Sequence, residues 1–297
     1  MQLKVKLTIL TCFLIIVILS TYYLQPKPIS DNIDKKIEVN VCLHIWDYND
    51  NTLSILRDLN VQWVRTDWVS APDNLIVDYA NSLQENSIDL LAIIDINTFN
   101  QQNVTLQEWN NTLTQIVSSK DFSSVDAVEI WNEPNGIAYI PPSTYYEMLK
   151  DAYVIIKNYS SIPVVFAGIS PNIYDWQTYL NDVFANEDVE KYFDYMGIHF
   201  YDDTQTNLDT LGFIKALTGK PVWLTETGEP SINNETEQAQ YIGTIYTDIA
   251  PEVSKIFIYE LNDGQGAEPL KENYFGLLTI NGTKKEAYNL IYNLNKR

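Results

Sequence analysis

Two glutamates stand at the ends of apolar, strand-like runs: Glu133 in VEIWNEPNG (128–136) and Glu226 in WLTETGEP (223–230). The three residues before Asn132 would bury well in a sheet if Glu129 faces another charged or polar group, and Pro134 stops any ladder directly after Glu133. A solvated strand end is the plain alternative for both, because charges collect where strands become loops. Their spacing argues for more. Glu226 lies 93 positions after Glu133, close to three βα units of roughly 31 residues each in an eightfold barrel of ~250 residues. Both carboxylates would then project over one mouth. A converging pair suits acid–base and nucleophilic work at a single bond, one group protonating a leaving oxygen while the other attacks or supports the carbon, as glycosidic bond cleavage requires.

The elements that must position them are legible from residue 37 onward, where short β-branched or aromatic runs alternate with segments of helical periodicity. The strand candidates are 37–46, 61–68, 88–96, 125–133, 162–170, 193–201, 220–228 and 253–261. Helix-like stretches lie between them, among them PDNLIVDYANSLQEN, TLQEWNNTLTQIVSSK, PPSTYYEMLKDAYVIIKNY and NETEQAQYIGTIYTDI, with TKKEAYNLIYNLN closing the chain. Several open on the Pro, Asp, Thr or Asn of a helix start. The rhythm predicts an α/β fold, a (β/α)8 TIM barrel over 37–297, as one catalytic domain. An open doubly wound sheet would alternate in the same way, but a nucleotide-binding one would be expected to carry a glycine-rich phosphate turn, and none occurs.

The 297-residue chain has a formal net charge of −20, which disfavours nucleic acid and anionic membrane surfaces and suits a neutral or cationic ligand. Its 20 Tyr and 7 Trp are compatible with flat amphipathic contact surfaces, although such residues also fill cores. Lys4 and Lys6 precede the apolar run LTILTCFLIIVILS, and residues 1–25 read as a signal peptide or signal anchor. Tyr22 and Tyr23 occupy the place where small cleavage-site residues would stand, which favours the anchor. Residues 26–36, PKPISDNIDKK, form a polar spacer. The expected location is therefore extracellular, secreted or tethered to the membrane. Cys12 sits in the apolar run and Cys42 in a strand, so no disulfide staples the domain, and a lipoprotein use of Cys12 has little support beside Thr11. Sequons at Asn103, Asn158 and Asn281 permit glycosylation without indicating it. With two histidines, neither in a ligand motif, no metal and no cofactor are expected.

WNEPN at 131–135 followed by WLTETG at 223–228 resembles the retaining glycoside hydrolases of clan A, and the resemblance runs over the whole chain after the apolar run. FIYELNDG and NYFGLLTINGTKKEAYNLI resemble the strand-eight and closing-helix segment of its family 39 and family 5 members. The resemblance implies that Glu133 is the acid/base and Glu226 the nucleophile, that Asn132 binds the sugar 2-OH, that Arg65 in WVRTDW keeps the nucleophile charged, and that Tyr201 hydrogen-bonds it. For Arg65 a structural ion pair with Asp67 or another carboxylate is the alternative. His199 shares a strand face with Tyr201, and His44 in LHIW could line the mouth from strand one. Where many clan members carry a Trp at the end of strand eight, this chain has Tyr259 followed by Glu260, a pair that could stack on a sugar and read a hydroxyl or a basic substituent. Trp131 is a further stacking candidate, as are Trp46 and Trp68, each equally suited to a core. The expected activity is retaining hydrolysis of an oligo- or polysaccharide, by a monomer, with a carbohydrate as its partner. The alternatives are a non-catalytic carbohydrate-binding barrel, against which both intact carboxylate motifs speak, and a transglycosylase using the same residues.

Overall fold

The structure, a computed structural model, describes residues 37–69, 75–99, 104–136, 138–173, 175–232, 234–267 and 269–296. The expected signal or anchor, the spacer and the Asn103 sequon lie outside the described residues. The strands run β1 (Val39–Cys42), β2 (Trp63–Asp67), β3 (Asp89–Ile94), β4 (Ala127–Asn132), β5 (Val164–Ile169), β6 (Tyr195–Phe200), β7 (Val222–Thr227) and β8 (Lys255–Ile258). All pair in parallel, and they close into a barrel in chain order. Each falls inside the segment read from the sequence and is shorter, because the apolar runs continue into corners that no longer ladder. After β1, Leu43 N still donates to Arg65 O at 2.9 Å, but His44 N turns to Asp47 Oδ2, also at 2.9 Å, and the chain enters a tight turn at Ile45–Asp47.

The outer layer consists of α1 (Asp50–Asp58), α2 (Leu75–Glu85), α3 (Leu106–Ser118), α4 (Pro142–Tyr159), α5 (Trp176–Phe184), α6 (Thr204–Thr218), α7 (Glu235–Thr244) and α8 (Glu286–Asn295). Helix α3 shows how the local sequence specifies one of these. Thr105 and Glu108 form a reciprocal cap, Glu108 N donating to Thr105 Oγ1 at 3.2 Å and Thr105 N to Glu108 Oε2 at 2.9 Å. Trp109, Leu113 and Val117 then recur at intervals of four and bury one stripe in the core outside the barrel. Pro142 opens α4 at its first turn, where a missing N–H costs nothing, and Tyr145, Met148, Leu149, Ala152 and Ile156 form its buried stripe. Among the described residues no helix is long and apolar enough to cross a membrane.

Inside the barrel a separate apolar layer of Cys42, Leu91, Ala127, Val165, Trp223 and Phe257 fills the lumen. Among the departures from strict strand alternation above it, two bear on the glutamates. Ala127 and Glu129 face inward, so Trp131 should follow them, yet it has φ 72° and is packed in the outer core against Trp109, ring centroids 6.2 Å apart. In β7 one extra residue is inserted: Leu224 and Thr227 pair with Ile256 and Ile258, while Leu224 and Glu226 pair with Ile198 and His199. The bulge re-aims Glu226. In an unbroken strand it would share the face of Leu224, which lies in the outer core.

Candidate active site

Arg65, on the inward face of β2, is almost completely buried and organises the site. Its Nε and Nη2 donate to the Glu129 oxygens at 2.6 and 3.1 Å, Nη1 to Glu226 Oε1 at 2.5 Å, and Nη2 also to Asn132 Oδ1 at 2.9 Å. Only a planar fork with several donors reaches three acceptors on two strands. Of the ion pairs open to Arg65 from the sequence, the one with another carboxylate forms, with Glu129, alongside the contact with Glu226; Asp67 Oδ2 accepts from Asn97 Nδ2 at 3.0 Å. Because guanidinium nitrogens can only donate, Asn132 must present its oxygen to Arg65, which leaves its amide nitrogen as the end available to a ligand.

Glu226 receives a second donor, Tyr201 Oη at 2.8 Å on Oε2, and His199 Nδ1 lies 3.5 Å from the same oxygen. Burial pushes its carboxyl pKa up, but the His199 proton, the Arg65 guanidinium and the Tyr201 hydroxyl together pull harder, and it sits below the usual carboxylate range. Glu226 is therefore held ionised although it is nearly buried. Glu133 has different surroundings. Its backbone has φ 44°, a left-handed conformation costing about 1–3 kcal/mol in a non-glycine residue, so the fold imposes its orientation. Its Oε1 lies 2.8 Å from His199 Nδ1. Facing two carboxylates, His199 Nδ1 carries the proton, while Nε2 is sealed off without a hydrogen-bond partner among the described residues. A Cβ on Gly168 would come within 1.9 Å of that Nε2, so glycine on β5 makes the room that His199 occupies.

A cavity of about 670 Å³ opens over these groups at the C-terminal end of the strands, lined among others by Asn132, Glu133, Tyr201, Glu226, His44 and Tyr259. His44 Nε2 lies 2.7 Å from Glu260 Oε2 and 3.3 Å from Tyr259 Oη. Burial alone would lower the His44 pKa, but the Glu260 carboxylate beside it raises it. Two expectations need correcting. Trp131 is no sugar platform: it is fully buried, with Nε1 donating to Ala138 O at 2.9 Å, because its positive φ turns the ring out of the barrel. Glu260 does not line the cavity; it is 1% exposed beneath His44 and acts on the mouth through that imidazole. Of the other tryptophans, Trp68 is core, against Phe122, and Trp46 is exposed.

Sequence reasoning missed Glu129 as a site residue. It is completely buried, paired with Arg65 and accepting from Gly168 N at 2.7 Å, and so fixes the guanidinium that grips Glu226. Its signal was a carboxylate four positions before Glu133 in an otherwise apolar strand, which demands a buried cation. Sequence spacing also hid that Glu133, His199 and Glu226 each offer a ligand atom within 4.8 Å of the others, a geometry able to hold a metal ion.

The closed parallel barrel thus carries two carboxylates of different surroundings at the C-terminal ends of its strands. Residues 44–268 match the family described as glycosyl hydrolase catalytic core, and the chain belongs to that family. Comparison with curated proteins returns no match. Among solved structures the chain is similar to a family 39 glycoside hydrolase from the gut symbiont Bacteroides cellulosilyticus WH2, with TM-score 0.71 and 19% identity over 91% of this chain and 65% of that one. It is similar to an endo-β-1,4-mannanase from Thermotoga petrophila, with TM-score 0.60 and 13% identity over 90% and 78% of the two chains. A family 128 exo-β-1,3-glucanase from Aureobasidium namibiae shares the fold at TM-score 0.62 and 13% identity, over 87% and 96%. The chain thus spans just under two thirds of the length of the first of these, and at such identities the likeness is one of fold.

Proposed function

We propose that the protein is a retaining glycoside hydrolase that cleaves an oligo- or polysaccharide through a glycosyl-enzyme intermediate. The observation that carries this is the asymmetry of the carboxylate pair: Glu226 is clamped ionised by Arg65 and Tyr201, while Glu133, with an oxygen within 4.8 Å of one of Glu226, rests against the proton-bearing His199. Retaining enzymes hold their carboxyl groups about 5–5.5 Å apart, too close to admit a water between them, whereas inverting ones leave about 6.5–9.5 Å. In the first step Glu226 attacks the anomeric carbon as Glu133 protonates the departing oxygen. In the second Glu133, now a base, takes a proton from water, which displaces Glu226. The amide nitrogen of Asn132 is placed to donate to a sugar hydroxyl. The apolar N-terminal run supports action outside the cell.

Product stereochemistry tests the roles. Glu226→Ala should lose turnover on every substrate, and azide attacking from the vacated face should give an inverted glycosyl azide. Glu133→Ala should keep activity on activated aryl glycosides, accumulate the intermediate, and with azide yield a product of retained configuration. Swapped configurations would reverse the roles; full activity in both variants on every cleaved substrate would reduce the two glutamates to solvated strand ends.

A further inference from the structure

Lys285, the N-cap residue of α8, is as buried as Arg65, each being only 2% exposed. A buried ammonium must direct its three donors at acceptors, and those of Lys285 reach two segments of the chain. Its Nζ donates to Asp263 Oδ1 at 2.6 Å, to Ser231 Oγ at 2.7 Å and to Tyr274 O at 3.4 Å. Ser231 follows β7, the strand that carries Glu226, whereas Asp263 and Tyr274 lie between β8 and α8. The two segments are joined at the same point. Ser231 N and Oγ both donate to Tyr274 O, at 2.9 and 3.1 Å, and Asp263 Oδ1 accepts from Gly276 N at 3.0 Å. Gln238 Nε2, on α7, donates to the carbonyls of Phe275 and Gly276 at 3.0 and 3.1 Å. The backbone of residues 274–276 is thus held by side chains from four different places in the sequence, with the Lys285 charge among them.

Phe275 carries this order into the site. It lines the cavity, and its ring packs edge-on against Tyr201 at 5.8 Å and Tyr259 at 5.6 Å between centroids. A Cβ on Gly228, two positions after Glu226, would come within 3.1 Å of Phe275 Cδ1, so the ring already fills the space beside β7. The Tyr201 ring that leans on Phe275 is the one whose hydroxyl donates to Glu226 Oε2 at 2.8 Å. Moving the backbone at Tyr274–Gly276 would remove the wall behind that ring and let its hydroxyl leave the carboxylate. We propose that Lys285 is a positioning residue for the nucleophilic step: its ammonium fixes Phe275, Phe275 fixes the ring of Tyr201, and Tyr201 aims Glu226. The kinetic consequence rests on the role proposed for Glu226; the linkage from Lys285 to Tyr201 does not.

The experiment separates position from stability. Lys285→Met leaves the Asp263 carboxylate without its cation and should lower the urea midpoint, whereas adding Asp263→Asn makes the pair neutral and should restore most of it. Both variants should still lose about tenfold in kcat on the 4-nitrophenyl β-glycoside of glucose, mannose or xylose that is cleaved, with KM within about twofold, since misplacing a reacting group by ~1 Å can cost ~10²-fold. Phe275→Leu should cause a similar loss and, combined with the double variant, add nothing further. Wild-type kcat in the stable double variant, or losses that multiply, would overturn the linkage. Should the Lys285 variants not fold, Ser231→Ala removes one partner of the ammonium and should lower kcat about threefold at wild-type KM; an unchanged kcat there would overturn it as well. Crystal structures read the linkage without turnover: in the double variant Phe275 should be displaced and Tyr201 Oη should lie more than ~3.2 Å from Glu226. Both groups in their wild-type places would overturn the proposal. Their displacement in a protein that hydrolyses none of these glycosides would uphold the linkage and refute the proposed activity instead.

Discussion

Replacing Arg65 by Lys keeps a positive charge at the centre of the site and removes the fork. Arg65 bonds Glu129 at 2.6 and 3.1 Å, Glu226 at 2.5 Å and Asn132 at 2.9 Å. An ammonium presents its three donors from one point and cannot span acceptors on β4 and β7 together. Breaking a buried ion pair costs about 3–5 kcal/mol when the partner stays uncompensated, and because lysine compensates in part, the lower end of that range, about 3 kcal/mol, applies. At a urea dependence of about 2 kcal/mol per molar, the unfolding midpoint should fall by roughly 1.5 M. The pH dependence has a definite sign. Because the folded-state pKa of Glu226 lies below its ordinary value, its stabilisation is fully present above the unfolded-state pKa and is lost as pH falls through the folded one. Loosening the Arg65 clamp moves the folded pKa up, so the acidic limb of kcat/KM should shift to higher pH, each unit corresponding to about 1.4 kcal/mol of lost carboxylate stabilisation. Urea melts and kcat/KM from acid to neutral pH, measured with an activated aryl glycoside, read both effects. An unmoved acidic limb together with an unchanged urea midpoint would refute the view that Arg65 holds Glu226 ionised.

Asp95, buried at the end of β3, has its carboxyl pushed up to about 7 by burial and by repulsion from Asp67. A raised carboxyl pKa subtracts stability as pH climbs from the unfolded to the folded value, so Asp95→Asn should be more stable than wild type by a few kcal/mol at mildly alkaline pH, with the difference shrinking towards acid. A difference that does not change with pH would show that Asp95 is not the titrating group. Chelation tests the Glu133, His199 and Glu226 cluster: hydrolysis should persist in EDTA, since two carboxylates suffice for the chemistry. Loss of turnover restored by one defined divalent metal would overturn the carboxylate mechanism.

The alternation of apolar runs and amphipathic helices fixes the barrel, because burying a parallel sheet on both sides leaves near-continuous β-branched runs that a sequence displays openly. The strand ends bearing Glu133 and Glu226 were legible for the same reason, as was the shared face of His199 and Tyr201. Three features were not. Trp131 faces outward because its φ is 72°, a value that the sequence around a non-glycine residue does not announce. Glu226 faces the mouth because β7 carries one extra residue relative to β6 and β8, and a bulge becomes visible only when partners are paired. Glu129 matters because Arg65, 64 positions away, closes on it in the lumen. The sequence by itself determined which elements form and which strand ends carry carboxylates, since those depend on local periodicity. Only the tertiary structure decided which carboxylate is clamped and which rests against His199, because both environments are assembled by side chains from different strands that meet only when the barrel closes.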